Sequence, residues 1–593
     1  MLVWYDAYVS LLIIQLKCIF TVRRQYKMEK RWVLASDCDD DTVAKVAEQL
    51  NIDRSLAQIL VQRNICDFDQ AKSFFRPDLN HLHDPFLMKD MDVAIARIET
   101  ALASHEKILI YGDYDVDGTT SVALAYSFFS KLTKNIEYYI PDRYLEGYGI
   151  STAGIDYANE NGFSLIIALD CGIKSIDKID YANKMGIDFI ICDHHLPGDE
   201  LPQAIAVLDP KRSDCAYPFK ELAGCGIGFK LAQAYAQKHQ LPKETYLQYL
   251  DLVMVSIAAD IVPVVGENRI LAYYGLKKLN ANPCEGLRAL MEVSGKTENY
   301  TITDVVFTLG PRINAAGRID HAKHAVAMLL CQVDSNSLEQ SELINLKNTE
   351  RKTYDQDITR EALALIGESE ILINRKTTVV FNENWHKGVI GIVASRLTEK
   401  YYRPTIVLTK SNGHVAGSCR SVVGFDLYEA LSGCAHLLDQ YGGHKFAAGL
   451  TMQEHNVNAF ADKFEEIVSA SITDELLTPM IRIDAEIELA QIDGKFYRVL
   501  SQMGPFGPEN MAPIFVTHSV YLAQHAMAVG QNHLKINIKQ QNSPIFEGIA
   551  FGLAEFQNLL QPRVPFSVCY TLEENVWRDR KRLQLNIKGI KVN

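Results

Sequence analysis

Three carboxylates alternate in Asp113-Tyr114-Asp115-Val116-Asp117-Gly118, directly after the apolar run Ile108-Leu109-Ile110. Clustered oxygen ligands of this kind suit hard divalent cations. A calcium loop shares the D-x-D-x-D-G spacing, but it needs a bidentate Glu at its twelfth position, and counting from Asp113 that residue is Leu124. A strand, not a helix, is also expected before the motif, so the calcium loop does not fit. A lone D-x-D pair after a strand is more often a solvated turn. Here the acids have company in Asp170, Asp193-His194-His195 and Asp260.

Two cations about 3.5–4 Å apart can activate a water and stabilise the attacking and leaving oxygens of an in-line phosphoryl displacement. Such a pair needs several carboxylates and a few imidazoles. Asp113, Asp115, Asp117, Asp170, Asp193, Asp260, His194 and His195 supply both. The mixed oxygen and nitrogen set suits Mn2+ and also serves Mg2+. An isolated His-His pair is more often structural, but this one follows an acid at a strand end.

The elements that must position these groups are legible from periodicity. Ile108–Tyr111, Ile136–Ile140, Leu165–Leu169, Phe189–Cys192 and Ala206–Val207 are continuous apolar or aromatic runs. Helical stretches such as Thr120–Lys131, Ser151–Asn161 and Ser175–Met185 separate them. Alternating strands and helices imply a mostly parallel sheet covered on both faces. Ligands bind outside the carboxyl ends of such strands. The acidic motif, Asp170 and Asp193 each follow a strand, so three acidic clusters are expected to meet on one rim. Asp260 ends an apolar helical run over Leu252–Ala259.

A second α/β unit begins near Thr377–Phe381. It carries Gly417-Ser418-Cys419-Arg420 and Gly442-Gly443-His444-Lys445, where glycines let backbone N–H groups approach an anion and the side chains can hold a phosphate. Gly224-Cys225-Gly226-Ile227-Gly228 precedes a helix, and tight packing fits it at least as well as a phosphate cradle. No P-loop signature occurs. From about residue 478 short alternating strands, beginning with Ile481–Ile487, point to a small β-barrel.

At 593 residues, with 48% hydrophobic and 22% charged residues, the chain is expected to form several soluble domains. The net charge of −13 does not advertise a nucleic-acid binder, but the acidic clusters contribute to it and basic patches can be local. Residues 471–593 hold 12 Lys+Arg and 12 Asp+Glu, a neutral tail in an acidic chain. The 12 cysteines include no C-x-x-C pair, which fits a reducing, cytoplasmic location. The expected organisation is a non-native extension over 1–27 with Met28 as the true start, a helical segment over 28–85, a catalytic α/β domain over 86–333, a connecting helix over 334–368, a second α/β domain over 369–470 and a barrel over 471–593.

Asp113–Gly118, Asp170-Cys171-Gly172 and Asp193-His194-His195 resemble the signature of the DHH phosphoesterase superfamily, and Gly442 to Gly449 resembles the phosphate-binding motif of its DHH-associated domain. Leu309-Gly310-Pro311-Arg312-Ile313-Asn314-Ala315-Ala316-Gly317-Arg318 and the run Trp385 to Arg396 resemble the RecJ family in particular. The resemblance implies a single-strand-specific DNA exonuclease of recombination and repair that releases mononucleotides 5′→3′ with two Mn2+ or Mg2+ ions. It implies a DHH domain and a DHH-associated domain joined by a long helix across a narrow channel, followed by an OB-fold. It makes Asp115, Asp117, Asp170, His194 and Asp260 metal ligands, with Asp113 beside them and His195 at the reacting phosphate. Arg312, Asn314, Arg318, Arg396, Ser418, Arg420, Gly442, Gly443 and His444 would face DNA. Single-stranded DNA is the implied partner, with a single-strand-binding protein and a helicase. Superfamily members often carry His where this chain has Tyr111. Two alternatives stay open: a DHH enzyme for short oligonucleotides or cyclic dinucleotides, and an inactive DNA-binding scaffold.

Overall fold

A computed structural model describes residues 30–36, 38–332, 336–577 and 580–592. The expected extension over 1–27 lies outside the described residues. The chain divides into two compact units, one built mainly from residues 36–351 and 485–587, the other from residues 352–484 and the strand Arg31–Leu34.

The first unit is organised on five parallel strands: β1 (Lys107–Gly112), β2 (Ile136–Tyr139), β3 (Phe163–Leu169), β4 (Asp188–Cys192) and β5 (Ala206–Leu208), in the order β2-β1-β3-β4-β5. Successive side chains leave opposite faces. Ile108, Ile110, Leu165, Ile167 and Ile190 therefore enter one core, and Leu109, Ile166, Phe189 and Ile191 the other. Burial of each such side chain contributes about 1.5–3 kcal/mol. The strand order reverses between β1 and β3, which is where doubly wound sheets place their ligand crevice.

Helix α1 (Val116–Phe129) begins earlier than its apolar spacing suggests. The Asp115 carboxylate caps it by accepting from Gly118 N at 3.0 Å, so Asp117 stands in the first turn and not in a loop. Helices α2 (Gly224–Lys238) and α3 (Leu250–Ala259) pack on α1, and α4 (Gly266–Ala281) and α5 (Gly310–Ile319) follow. A seven-stranded sheet over Ala485–Val592 closes on itself where Phe515–Leu522 also pairs with His533–Lys539, forming the barrel.

A long helix, α6, runs over Ser337–Glu368. The second unit holds a mixed sheet of β6 (Thr378–Phe381), β7 (Thr405–Ser411), β8 (His414–Arg420), β9 (Gln440–His444) and β10 (Ala447–Met452), in the order β9-β10-β8-β7-β6. Helix α7 (Ile390–Tyr401) covers β7 and β8.

Two expectations fail locally. The segment over 28–85 is not helical throughout: Arg31–Leu34 is a strand paired in parallel with Met480–Ile483. The expected strand Ile481–Ile487 breaks at Asp484, and its remainder, Ala485–Glu486, pairs with Phe515–Val516 in the barrel. Both partners lie far away in sequence, where local periodicity carries no signal.

Candidate metal centre

Strand register builds the rim. Gly112 pairs with Leu169, Leu169 with Cys192 and Cys192 with Leu208. The next residues, Asp113, Asp170, Asp193 and Asp209, therefore fall in one row at the carboxyl ends of β1, β3, β4 and β5. Asp260 joins them as the C-cap of α3.

His194 Nε2 lies 3.2 Å from Asp170 Oδ1, 3.6 Å from Asp260 Oδ2 and 3.7 Å from Asp117 Oδ2. One ligand atom each from Asp117, His194 and Asp260 falls within 4.8 Å of the others, and the same holds for Asp170, His194 and His195. Asp113 and Asp115 stand outside both groups. The Asp115 charge nonetheless raises the carboxyls of Asp113, Asp170 and Asp260, after burial itself.

A buried cluster of carboxylates with no cation is costly, because burial and mutual repulsion both penalise charge. Asp113, Asp170 and Asp260 are held well above the usual carboxylate range by burial and then by neighbouring carboxylates. Asp113 Oδ2, Asp170 Oδ1 and both ring nitrogens of His194 are buried with no hydrogen-bond partner. Buried polar atoms are ordinarily satisfied. The carboxylates of Asp117, Asp170 and Asp260 gathered about the His194 imidazole, with Asp170 Oδ1 and the imidazole nitrogens unsatisfied, form a donor set that fits Mn2+ or Mg2+.

Asp117 is held differently. Its Oδ1 accepts from Ser256 Oγ at 2.7 Å and Cys225 N at 2.8 Å, and its Oδ2 from Gly224 N at 2.7 Å. The first N–H groups of α2 thus stabilise its charge. This explains the first glycine of the run. A Cβ on Gly224 would stand 2.8 Å from Asp170 Cβ, so Gly224 permits close packing against a ligand carboxylate, and its N–H serves Asp117.

Asp193 supports rather than joins the centre. Its Oδ2 accepts from Ile173 N at 2.9 Å, and its Oδ1 accepts from His194 N and His195 N and lies 2.7 Å from His195 Nδ1. Burial would raise its carboxyl, but the His195 contact and the Ile173 N–H outweigh burial and pull it down to about 2. Burial pushes the His195 imidazole down, and the Asp193 carboxylate lifts it to about 9.

Sequence reasoning missed two neighbours. Tyr148 Oη lies 3.2 Å from His195 Nε2, on a loop where Gly147 and Gly149 have φ of +87° and +80°. The Gly-Tyr-Gly spacing was its only signal. Asp209 is buried, and burial followed by the Asp193 charge pushes its carboxyl up to about 7. Tyr111, by contrast, turns away from the centre. Its hydroxyl donates to Gly149 O at 3.0 Å and accepts from Ser151 N at 3.1 Å, and its ring stacks on Tyr139. Three cysteines border the rim. Cys171, Cys192 and Cys225 are fully buried, and burial pushes each thiol far up.

The expected DNA-facing residues fall in both units. In the first, Arg312 on α5 donates to Thr308 O and Asn345 Oδ1, Asn314 and Arg318 are half-buried on the same helix, and Gly317 packs closely on Tyr114 O. In the second, register sets Arg420, Ala447 and His444 in one row and Ser418, Gly449 and Gly442 in the next. Arg420 donates to Ser395 Oγ, Ser418 Oγ and Cys419 O, all neutral groups, and burial lowers its pKa. Arg396 is pinned to the buried Asp355 at 2.6 Å and keeps half its side chain exposed. The two glycines differ. Gly443 has φ +145° and a Cβ there would meet Ala447 O at 2.4 Å, whereas Gly442 faces open space.

Three family models match the chain: the DHH family N-terminal domain over residues 107–257, the DHHA1 domain over 374–470 and the RecJ OB domain over 483–589. A single-stranded-DNA-specific exonuclease RecJ from Bacillus subtilis is 36% identical over 567 residues, covering 95% of this chain and 71% of the relative. The crystal structure of RecJ from Thermus thermophilus with Mn2+ superposes with a TM-score of 0.82 at 26% identity, covering 96% of this chain and 80% of that one. The same enzyme with Mg2+ gives 0.76 at 26% identity, covering 95% and 78%.

Proposed function

Because the chain belongs to the RecJ family of DHH phosphoesterases, we propose that it hydrolyses single-stranded DNA exonucleolytically, releasing mononucleotides from the 5′ end. The observation that carries this reading is the set around His194: ligand atoms of Asp117 and Asp260, and of Asp170 and His195, gather about it within 4.8 Å, and Asp170 Oδ1 and both His194 nitrogens are buried without hydrogen-bond partners. Asp115, Asp117, Asp170, His194 and Asp260 would hold two divalent cations, with Asp113 beside them. Bound there, the ions would supply positive charge to activate water and neutralise the phosphate.

The chain's own residues do the rest. Asp193 holds the His195 ring through Nδ1, which aims Nε2 at the rim, where it hydrogen-bonds the phosphate undergoing cleavage. Arg420, Ser418, His444 and the backbone at Gly442 and Gly443 bind phosphate oxygens. Arg396 adds its exposed guanidinium, and Arg312, Asn314 and Arg318 grip further phosphates along the strand. Contacts to phosphate carry no base information, so cleavage is independent of sequence.

The division into an N-terminal segment over 28–85, helical after the strand Arg31–Leu34, a DHH domain over 86–333, a connecting helix over 334–368, a DHH-associated domain over 369–470 and an OB-fold over 471–593 belongs to the same reading. So do a cytoplasmic location and partnership with a single-strand-binding protein and a helicase, which pull-down from a lysate on immobilised protein tests. Among the described residues no helix is long and apolar enough to cross a membrane.

The direct test offers purified protein with Mn2+ long single strands blocked at the 5′ or the 3′ end, duplex, and dinucleotides. Mononucleotide release that a 5′ block stops and a 3′ block does not is the expected result. Faster turnover of dinucleotides than of long strands overturns the exonuclease assignment.

A further inference from the structure

Asp260 ends α3, and four residues later Val264 meets the loop at 503–510 that leads into the barrel strand Phe515–Leu522. We propose that the barrel loop Met503–Asn510 positions Asp260 in the metal centre, so that the OB-fold completes the catalytic site as well as any surface it offers to DNA. The inference rests on the metal-centre reading above.

The contact is tight and hydrogen-bonded on both sides. Val264 N donates to Pro508 O at 2.8 Å. The Val264 side chain is buried against Gly507, where a Cβ would stand 2.4 Å from Val264 Cγ2. Only a glycine lets the loop approach the segment so closely. On the other side of the same segment, Asn268 donates to Pro263 O at 3.0 Å. Arg269, in the first turn of α4, is 4% exposed. Its guanidinium lies 3.8 Å from the Phe74 ring centroid and donates to Met503 O at 3.0 Å, Gly504 O at 2.9 Å and Phe74 O. A buried guanidinium that spends its donors on backbone carbonyls acts as a clamp rather than as a charge partner.

The loop itself is rigid. Asn510 is buried and donates to Met503 O at 3.0 Å and Pro505 O at 2.9 Å, and Arg63 donates to Asn510 Oδ1 and to Met511 O. Gly507 and Asn510 exchange both backbone hydrogen bonds. Between Asp260 and this anchor, Ile261 adopts φ +60°. A β-branched residue in the left-handed region is strained and persists only where its surroundings hold it. The strained residue is the one next to the ligand. The segment after it is held by Pro508 O on Val264 N and by Asn268 on Pro263 O.

The test uses the full chain and reads Mn2+ binding by electron paramagnetic resonance of the free ion, metal-free melting, and single-strand affinity in EDTA. Gly507→Ala drives a methyl group into Val264. It is expected to weaken Mn2+ binding by roughly 10- to 100-fold, the usual effect of disturbing groups that orient a ligand, while single-strand affinity stays at the wild-type level. Adding Val264→Ala removes the colliding Cγ atoms and is expected to restore Mn2+ affinity. Asn510→Ala, which loosens the loop without filling space, is expected to weaken Mn2+ in the same direction and gives a reading even where Gly507→Ala is insoluble. Asp260→Ala is the control. If it binds Mn2+ as the wild type does, the metal-centre reading fails. If it loses Mn2+ affinity while Gly507→Ala and Asn510→Ala keep theirs, the positioning role is overturned. A fall in melting or in DNA affinity with Mn2+ affinity intact overturns it too, as does a double variant no better than Gly507→Ala alone.

Discussion

The acidic rim of the first unit and the hydrogen-bond donor rows of the second are both built at sheets, by opposite means. In the first unit, parallel strands end side by side, so the residues after them converge. Asp113, Asp170 and Asp193 arrive from three strands at one buried place. In the second, antiparallel strands lay donors out in rows: Arg420 in line with His444, Ser418 in line with Gly442. His444 and Gly442 are exposed, and Arg420 is bonded only to neutral groups. Convergence concentrates charge of one sign until a counter-ion is needed. Rows spread donors along a line open to a ligand that brings its own charge. The first arrangement suits resident ions, the second a phosphate that comes and goes.

The two designs can be set against each other by mutation. The largest effect is expected from Asp117→Ala, which removes a proposed ligand and leaves the first N–H groups of α2 unpaired. Turnover is expected to fall by about three orders of magnitude, ~4 kcal/mol in the barrier. Single-strand binding in EDTA, measured by fluorescence anisotropy, stays within about twofold (~0.4 kcal/mol). Loss of DNA binding in this variant would erase the distinction between the rims. Gly224→Ala comes next. Its methyl meets the Asp170 carboxylate, and calorimetry is expected to show Mn2+ affinity lower by roughly 10-fold or more.

Arg420→Ala should act in the opposite column. Single-strand affinity is expected to drop by about tenfold, and the dependence of log affinity on log salt to flatten by roughly 0.7, one phosphate contact on a single strand. Mn2+ affinity stays unchanged. Gly442→Ala should do least. Its Cβ meets open space, so stability shifts by less than about 0.5 kcal/mol in thermal melting. Any loss of single-strand affinity there measures how closely a phosphate approaches the backbone.

Much of this was open to reading in the sequence, and the parts that were not share a cause. The rim was legible because each acid follows an apolar run, and a parallel sheet turns that spacing into a place. Asp260 was legible as the polar end of an apolar helix. The roles within the rim were not. Asp193 looks like Asp170 in the sequence, yet it spends both oxygens on backbone N–H groups and on His195. Tyr111 and Tyr148 are both tyrosines near the acids; alternation along β1 turns Tyr111 into the core beside Leu109, and the loop between Gly147 and Gly149 brings Tyr148 to His195. The strand Arg31–Leu34 and the Gly507 contact depend on partners hundreds of residues away. Periodicity reports which face a residue takes. It does not report which distant atom the residue meets there.

The buried thiols bear on metal poisoning. Cys171 follows Asp170, Cys192 precedes Asp193-His194 and Cys225 donates its N–H to Asp117, and a thiolate at any of them would offer cadmium or copper(I) a soft donor beside a hard-ion centre. Burial pushes all three thiols up, and none of them belongs to either group of candidate ligands. Those groups offer oxygen and imidazole alone, and Cd2+ is expected to bind a Cys171→Ala variant as tightly as the wild type in a competition titration. Sulfur at these positions fills space without altering which metals the site attracts.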